Sequence, residues 1–190
     1  MKLDAETLGQ SRFLNRFFKL AGMSMESRPR QWLMPAERTL RGADLAPGQT
    51  VLEVGSGTGF FTVPAARIIG DGGHLIAMEP LSDFADRVRE KVGGAGLTNV
   101  EVIRRDALKT ELEAATIDVV LLFGVVPFPT LPLDRLLPEM HRVLKAGGTL
   151  ALWQFPAPAG VPKAIARSGL FSELGKNNGV YTFRRRDQAE

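Results

Sequence analysis

The stretch VLEVGSGTGFF, residues 51–61, decides how the rest of the chain is read. Its first four positions are apolar around a single acid, Glu53, and form a strand pattern. Gly55, Gly57 and Gly59 then alternate ahead of a helix-compatible run. A strand that empties into a glycine loop and then a helix offers unpaired N–H groups and the positive end of a helix dipole, where anionic or polar ligand groups settle. Glycine lets the backbone turn tightly there and approach the ligand closely. The dinucleotide fingerprint Gly-x-Gly-x-x-Gly needs its third glycine where this chain has Phe60; here that glycine comes one residue early, as Gly59. An acid only two residues before the loop disfavours a pyrophosphate and suits a ligand that carries an ammonium group.

From residue 50 onward, short β-rich runs alternate with helical patterns, which predicts βαβ units around a mostly parallel sheet. Strands are expected over 50–54, 74–79, 100–104, 117–123 and 149–154. Helical spacing covers 61–70, 81–93 and 131–148, the last interrupted by Pro138 and running to Gly147. Two extended runs flank KNNG (176–179), an Asn-Gly turn signal, so the sheet should close in a terminal hairpin with one strand reversed. The second strand ends at Glu79, where a carboxylate can accept two hydrogen bonds from a ribose diol. The third ends in RRDA, which puts Asp106 and Ala107 on the same edge; the Asp106 side chain could accept from an exocyclic amine while a backbone N–H serves a ring nitrogen. Each acid also has a structural alternative: Glu79 as a solvated strand end, Asp106 as an N-cap for ALKTELE. One acid at the end of each of three successive strands is a constellation, and that order favours ligand binding.

VLEVGSGTG, AMEP, RRDAL and LPEMHRVLKAGGTLALWQF resemble the successive signatures of class I S-adenosylmethionine-dependent methyltransferases. The Arg-Val-Leu-Lys-x-Gly-Gly core is similar to the branch containing ubiquinone/menaquinone-biosynthesis and related small-molecule methyltransferases. The likeness covers residues 50–154. It implies an α/β, Rossmann-like seven-stranded, mostly parallel sheet with helices on both faces and an antiparallel terminal β-hairpin. It further implies that Glu53, Gly55, Ser56, Gly57, Thr58 and Gly59 face the methionine moiety of S-adenosyl-L-methionine, and that Glu79 faces the ribose. Asp106 and Ala107 would hold adenine, Pro80 would pack on its ring, and Phe123 and Gly124 would line the floor. The product would be S-adenosyl-L-homocysteine. No residue stands out as a catalytic base.

Composition narrows the partners. Charged residues make up 24% of 190 residues and the net charge is +3, a balance that does not call for nucleic acid. Without cysteine there is no disulfide, thiolate metal site or thiolate nucleophile, and the two histidines lack ligand partners at useful spacing, so no metal site is expected. After the fourth strand, FGVVPFP (123–129) replaces the Asn/Asp-Pro-Pro-aromatic signature of amino-group nucleic-acid methyltransferases. That apolar run points to a small, apolar or lipid-like acceptor, with Val126, Phe128 and, from the preceding segment, Trp32 as candidate contacts.

Residues 1–48 read as a helical extension or lid packed on a binding domain of 49–190. Phe13, Leu14, Phe17 and Phe18 recur at helical spacing among Arg12, Arg16 and Lys19, a pattern that suits core packing and would also allow peripheral membrane contact. The first ten residues carry acids and no apolar core, and the most apolar run (119–126) is far below the roughly 18–20 residues that span a bilayer, so a cytoplasmic protein is expected. Two rivals stay open: a domain that binds the methyl donor without transferring, and an NAD-dependent oxidoreductase.

Overall fold

The computed structural model of the protein describes residues 35–127, 130–154 and 160–187. Strands β1 (Thr50–Val54), β2 (His74–Met78), β3 (Val100–Ile103), β4 (Ile117–Phe123) and β5 (Leu144–Trp153) are joined by parallel pairings only. β6 (Phe171–Asn177) and β7 (Val180–Arg185) complete a seven-stranded sheet of order β3-β2-β1-β4-β5-β7-β6, with β7 running against both its neighbours. The hairpin turn falls at Asn178 and Gly179, whose φ values of +47° and +82° are the paired left-handed conformations that a tight hairpin needs. This is the predicted architecture, including the one reversed strand.

The helices are α1 (Ala36–Leu40), α2 (Thr62–Ile69), α3 (Ser82–Gly94), α4 (Leu133–Val143) and α5 (Val161–Arg167). Strand side chains alternate between two cores. Leu52, Val54, Ile76, Val120, Leu122 and Leu150 pack with Leu136, Met140 and Ile165 of α4 and α5. Val51, Leu75, Ala77, Val119, Leu121 and Ala151 pack with Ala65, Ile69 and Val88 of α2 and α3, and with Leu40 of α1. Burial on both faces is why these strands are nearly continuous apolar runs. β2 and β4 flank β1 and the strand order reverses there, which makes the carboxyl edge beyond β1 and β4 the topological switch point at which open α/β sheets bind ligands.

Three local expectations change. The last long helix stops at Val143, and Leu144 is already extended and pairs with Ile117. Asp118 explains the switch: its Oδ1 and Oδ2 accept from Lys145 Nζ at 2.8 and 2.9 Å, and Oδ2 also accepts from the Thr50 N–H at 2.8 Å, so the chain after α4 is pulled into the sheet. Pro138, exposed on the solvent side of α4, removes one backbone donor without breaking the helix, because the opposite face buries Leu136, Leu137, Met140 and Val143. No helix follows Asp106. Residues 110–112 are tied instead to α4: Thr110 donates from N and Oγ1 to Glu139 Oε1, and Arg142 donates to Glu139 and to the Leu112 carbonyl. The short α5 carries too few turns for its periodicity to show in the sequence.

Candidate functional site

The loop after β1 is built from the backbone up. Gly55 and Ser56 donate N–H groups to the Met78 carbonyl at 2.8 and 3.1 Å, which folds the loop across the end of β2. Gly55, Gly57 and Gly59 have φ values of +68°, +55° and +79°, a region that costs other residues roughly 1–2 kcal/mol. At Gly55 space is also decisive, since a Cβ there would stand 2.5 Å from Val125 Cγ1. The loop is steadied from below by Lys91 of α3, whose Nζ donates to the Thr58 carbonyl at 2.7 Å.

Glu79 bridges this loop to the next helix. Its Oε2 accepts the Gly57 N–H at 2.8 Å and its Oε1 accepts the Leu81 N–H at 3.0 Å. Each oxygen keeps one acceptor site free, so the side chain can still receive a pair of hydroxyls. It is 5% exposed, and burial pushes its carboxyl up to about 7 against the opposing pull of the Leu81 and Gly57 N–H groups. Glu53, 2% exposed, lies behind the loop, and its Oε2 accepts the Thr62 hydroxyl at 2.6 Å. Burial pushes its carboxyl up to about 8; the Thr62 hydrogen bond opposes this and the Glu79 charge adds to it. Burial thus keeps both carboxyls beside the loop more readily protonated than in water.

The other predicted residues fall into groups. Asp106 and Ala107 sit beyond β3 on the same carboxyl edge, and Asp106 Oδ1 accepts the Leu108 N–H at 2.9 Å in a turn rather than at a helix start. Pro80 is half-buried between Glu79 and α3. Gly124, at φ +73°, is exposed and donates its N–H to the Trp153 carbonyl at 2.8 Å. The Phe123 ring turns into an aromatic cluster, 5.0 Å from Phe61 and 6.2 Å from Trp153. Val126, expected against an acceptor, is 3% exposed and belongs to the core beside α4. Trp32 and Phe128 lie outside the described residues, as does most of the 1–48 extension.

Thr62 and Lys91 were not singled out from the sequence, and Val125 only as part of the apolar run after β4, with no sign that it reaches Gly55. Thr62 opens the helix after the loop, a position from which a hydroxyl reaches back to the strand; Lys91 carries no such local signal. A cleft of about 560 Å³ opens between α1, α2 and α3, but it touches the loop only at Gly59 and Phe60, and neither Glu53 nor Glu79 lines it. The carboxyl edge carries Glu53, Glu79 and the buried Ser56 hydroxyl, and is the chemically equipped place. Among the described residues no cluster of His, Asp or Glu could hold a metal ion, and no helix is long and apolar enough to cross a membrane.

Comparison with known proteins gives one consistent picture. Residues 51–148 match the family model described as a methyltransferase domain. The chain is 32% identical over 138 residues to the ubiquinone/menaquinone biosynthesis C-methyltransferase UbiE of Vibrio vulnificus, covering 72% of this chain and 48% of that protein. It is 30% identical over 113 residues to the protein-L-isoaspartate O-methyltransferase of Ignicoccus hospitalis, covering 60% of this chain and 50% of the other. The chain thus spans about half the length of these curated relatives. In structure it is similar to a SAM-dependent methyltransferase from Aquifex aeolicus, with a TM-score of 0.69, 22% identity, and coverage of 87% of this chain and 96% of that one. Family model, relatives and fold agree: the chain belongs to the methyltransferase-domain family, is similar in sequence to UbiE, and shares the fold of a SAM-dependent methyltransferase.

Proposed function

We propose that this chain transfers a methyl group from S-adenosylmethionine, held across the carboxyl ends of β1, β2 and β3, to a small apolar or lipid-like acceptor. The observation that carries the reading is the Glu79 bridge: one buried carboxylate fixes the glycine loop and the start of α3 while keeping an acceptor site on each oxygen. The residues present fit the cofactor. Ser56 Oγ is buried with no partner, the state expected of a hydroxyl that meets a ligand group, and the left-handed glycines leave the loop backbone open.

In this reading Glu79 receives the ribose hydroxyls. Glu53 faces the amino-acid end, and Gly55, Ser56, Gly57, Thr58 and Gly59 shape the cradle. Asp106 and Ala107 meet the adenine, Pro80 lies against its ring, and Phe123 and Gly124 form the floor. When bound, the cofactor supplies an electrophilic methyl group on a sulfonium centre. The chain's own contribution is to align donor and acceptor and to exclude water, a service that can be worth roughly 7–11 kcal/mol of barrier. The apolar run after β4 supports an apolar acceptor, with Trp32 and Phe128 as candidate contacts. Residues 1–48 would act as an extension packed on the 49–190 domain, and the protein would work in the cytoplasm, where an extension rich in Phe and basic residues could touch a membrane surface.

Thermal unfolding with S-adenosylmethionine, S-adenosylhomocysteine and NAD in parallel tests this. A ligand at a hundred times its Kd adds about 2.7 kcal/mol, or several degrees for a chain this long. Stabilisation by the two adenosyl-sulfur compounds and not by NAD is the expected result. Stabilisation by NAD alone would sink it.

A further inference from the structure

β6 is an outer strand of the sheet: β7 covers one of its edges, and among the described residues no strand pairs with the other. An open edge presents unpaired N–H and C=O groups, a template on which another strand can add. Leu174 lies in the middle of β6 and is 50% exposed; among the described residues it is the one large apolar side chain left so.

A register shift between Glu173 and Gly175 makes Leu174 an extra residue, a β-bulge. In a regular strand, residues three apart point to opposite sides of the sheet. Here Glu173 stands opposite Phe183 and Lys176 opposite Tyr181, and both aromatic residues pack on the α4–α5 side. Cross-strand partners share a face, so the bulge brings Glu173 and Lys176 onto the same one. The Lys176 Nζ agrees, lying 4.6 Å from the centre of the Tyr181 ring. The Arg186 N–H donates to the Leu170 carbonyl at 2.9 Å. Ladder bonds alternate from that pair, and from the hairpin end at Asn177 and Val180, which turns the backbone groups of Glu173 and Lys176 toward the open edge.

Bulges and lysines commonly guard such edges, but this one is complementary to itself. A two-fold axis between Leu174 and Gly175 sets two antiparallel copies of β6 side by side. Glu173 of each copy then stands opposite Lys176 of the other, an ion pair made twice. Leu174 of each stands opposite Gly175 of the other, where nothing lies within 4 Å of the missing Cβ and the leucine has room to pack. The edge at the far end of the sheet is different, since Arg89 of α3 donates to the Val102 carbonyl of β3 at 3.2 Å.

We infer that β6 is a homodimer interface, through which a second copy of this chain adds edge to edge and joins two seven-stranded sheets into one. Contacts of this isologous kind close on themselves as a dimer.

The test is sedimentation of the full chain over a concentration series. The wild-type protein should pass from monomer to dimer. Glu173→Lys and Lys176→Glu each set like charges opposite one another twice, so each variant alone should dimerise roughly tenfold or more weakly than the wild type. Both side chains are exposed, so both variants should keep the wild-type fold. An equimolar mixture of the two restores both complementary pairs and should regain the dimer, a result particular to this register. A wild-type chain that stays monomeric up to about 100 μM would overturn the proposal. So would single variants as dimeric as the wild type, or a mixture that does not regain the dimer.

Discussion

Replacing Gly55 with Ala separates two reasons for glycine at one position. The φ of +68° charges any L-residue roughly 1–2 kcal/mol. The added Cβ would also stand 2.5 Å from Val125 Cγ1, more than 1 Å inside ordinary contact, and overpacking of that kind costs about 1–3 kcal/mol. The sum is about 2–5 kcal/mol, which for a chain of this length lowers the melting temperature by roughly 4–20 °C. Gly57 is the internal control. Its φ is +55° but nothing lies within 4 Å of its missing Cβ, so Gly57→Ala should cost only the backbone share. The assay is urea unfolding of the four proteins of the Gly55→Ala, Val125→Ala cycle, without ligand. Trimming Val125 should return about 1–3 kcal/mol to the Gly55→Ala background as a favourable coupling. If the two changes add to within about 0.5 kcal/mol, or if Gly55→Ala costs no more than Gly57→Ala, the close approach between the two carboxyl-edge loops is not what demands the glycine.

Titration offers two further checks of opposite sign. Glu53 and Glu79 have carboxyls raised to about 8 and about 7, so the folded state holds their protons more tightly than the unfolded chain. Stability without ligand should therefore fall as pH rises from about 4.5 to 8 and level off above. Glu53→Gln, which keeps an acceptor for the Thr62 hydroxyl, should flatten that fall in urea titrations at several pH values; an unchanged slope would show that Glu53 does not titrate in this window. Glu139 is held down to about 2, first by the Arg142 hydrogen bonds and also by Thr110. Its stabilisation is present above about 4.5 and is lost as pH falls from there toward 2. Glu139→Gln should lose stability at pH 7 and show a shallower acid limb; an acid limb as steep as that of the wild-type protein would refute the assignment.

Much of the architecture was legible because it is written in local chemistry. Buried parallel strands must be apolar along their whole length, a hairpin needs Asn-Gly, and a loop with left-handed residues needs glycine. These signals place β1 to β4 to within a residue, the terminal hairpin with its reversed strand, and the carboxyl edge with its ordered acids. A local reading fails where a partner distant in the chain decides. Asp118 and Lys145, 27 residues apart, turn the end of a helical pattern into strand. Glu139 and Arg142 hold the segment after Asp106 out of a helix from 29 and 30 residues away. Val126 looked like a pocket wall by composition, yet the loop after β4 turns it into the core beside α4, a placement that only packing against distant residues decides. The glycine loop and the three strand-end acids, with their order, can be read along the chain. That Glu79 ties the loop to α3, that Thr62 reaches back to Glu53, and that the Gln154 amide is left unpaired emerge only once the chain is folded. Hydrogen-bond satisfaction and burial belong to pairs of groups, and a linear sequence names the groups without naming the pairs.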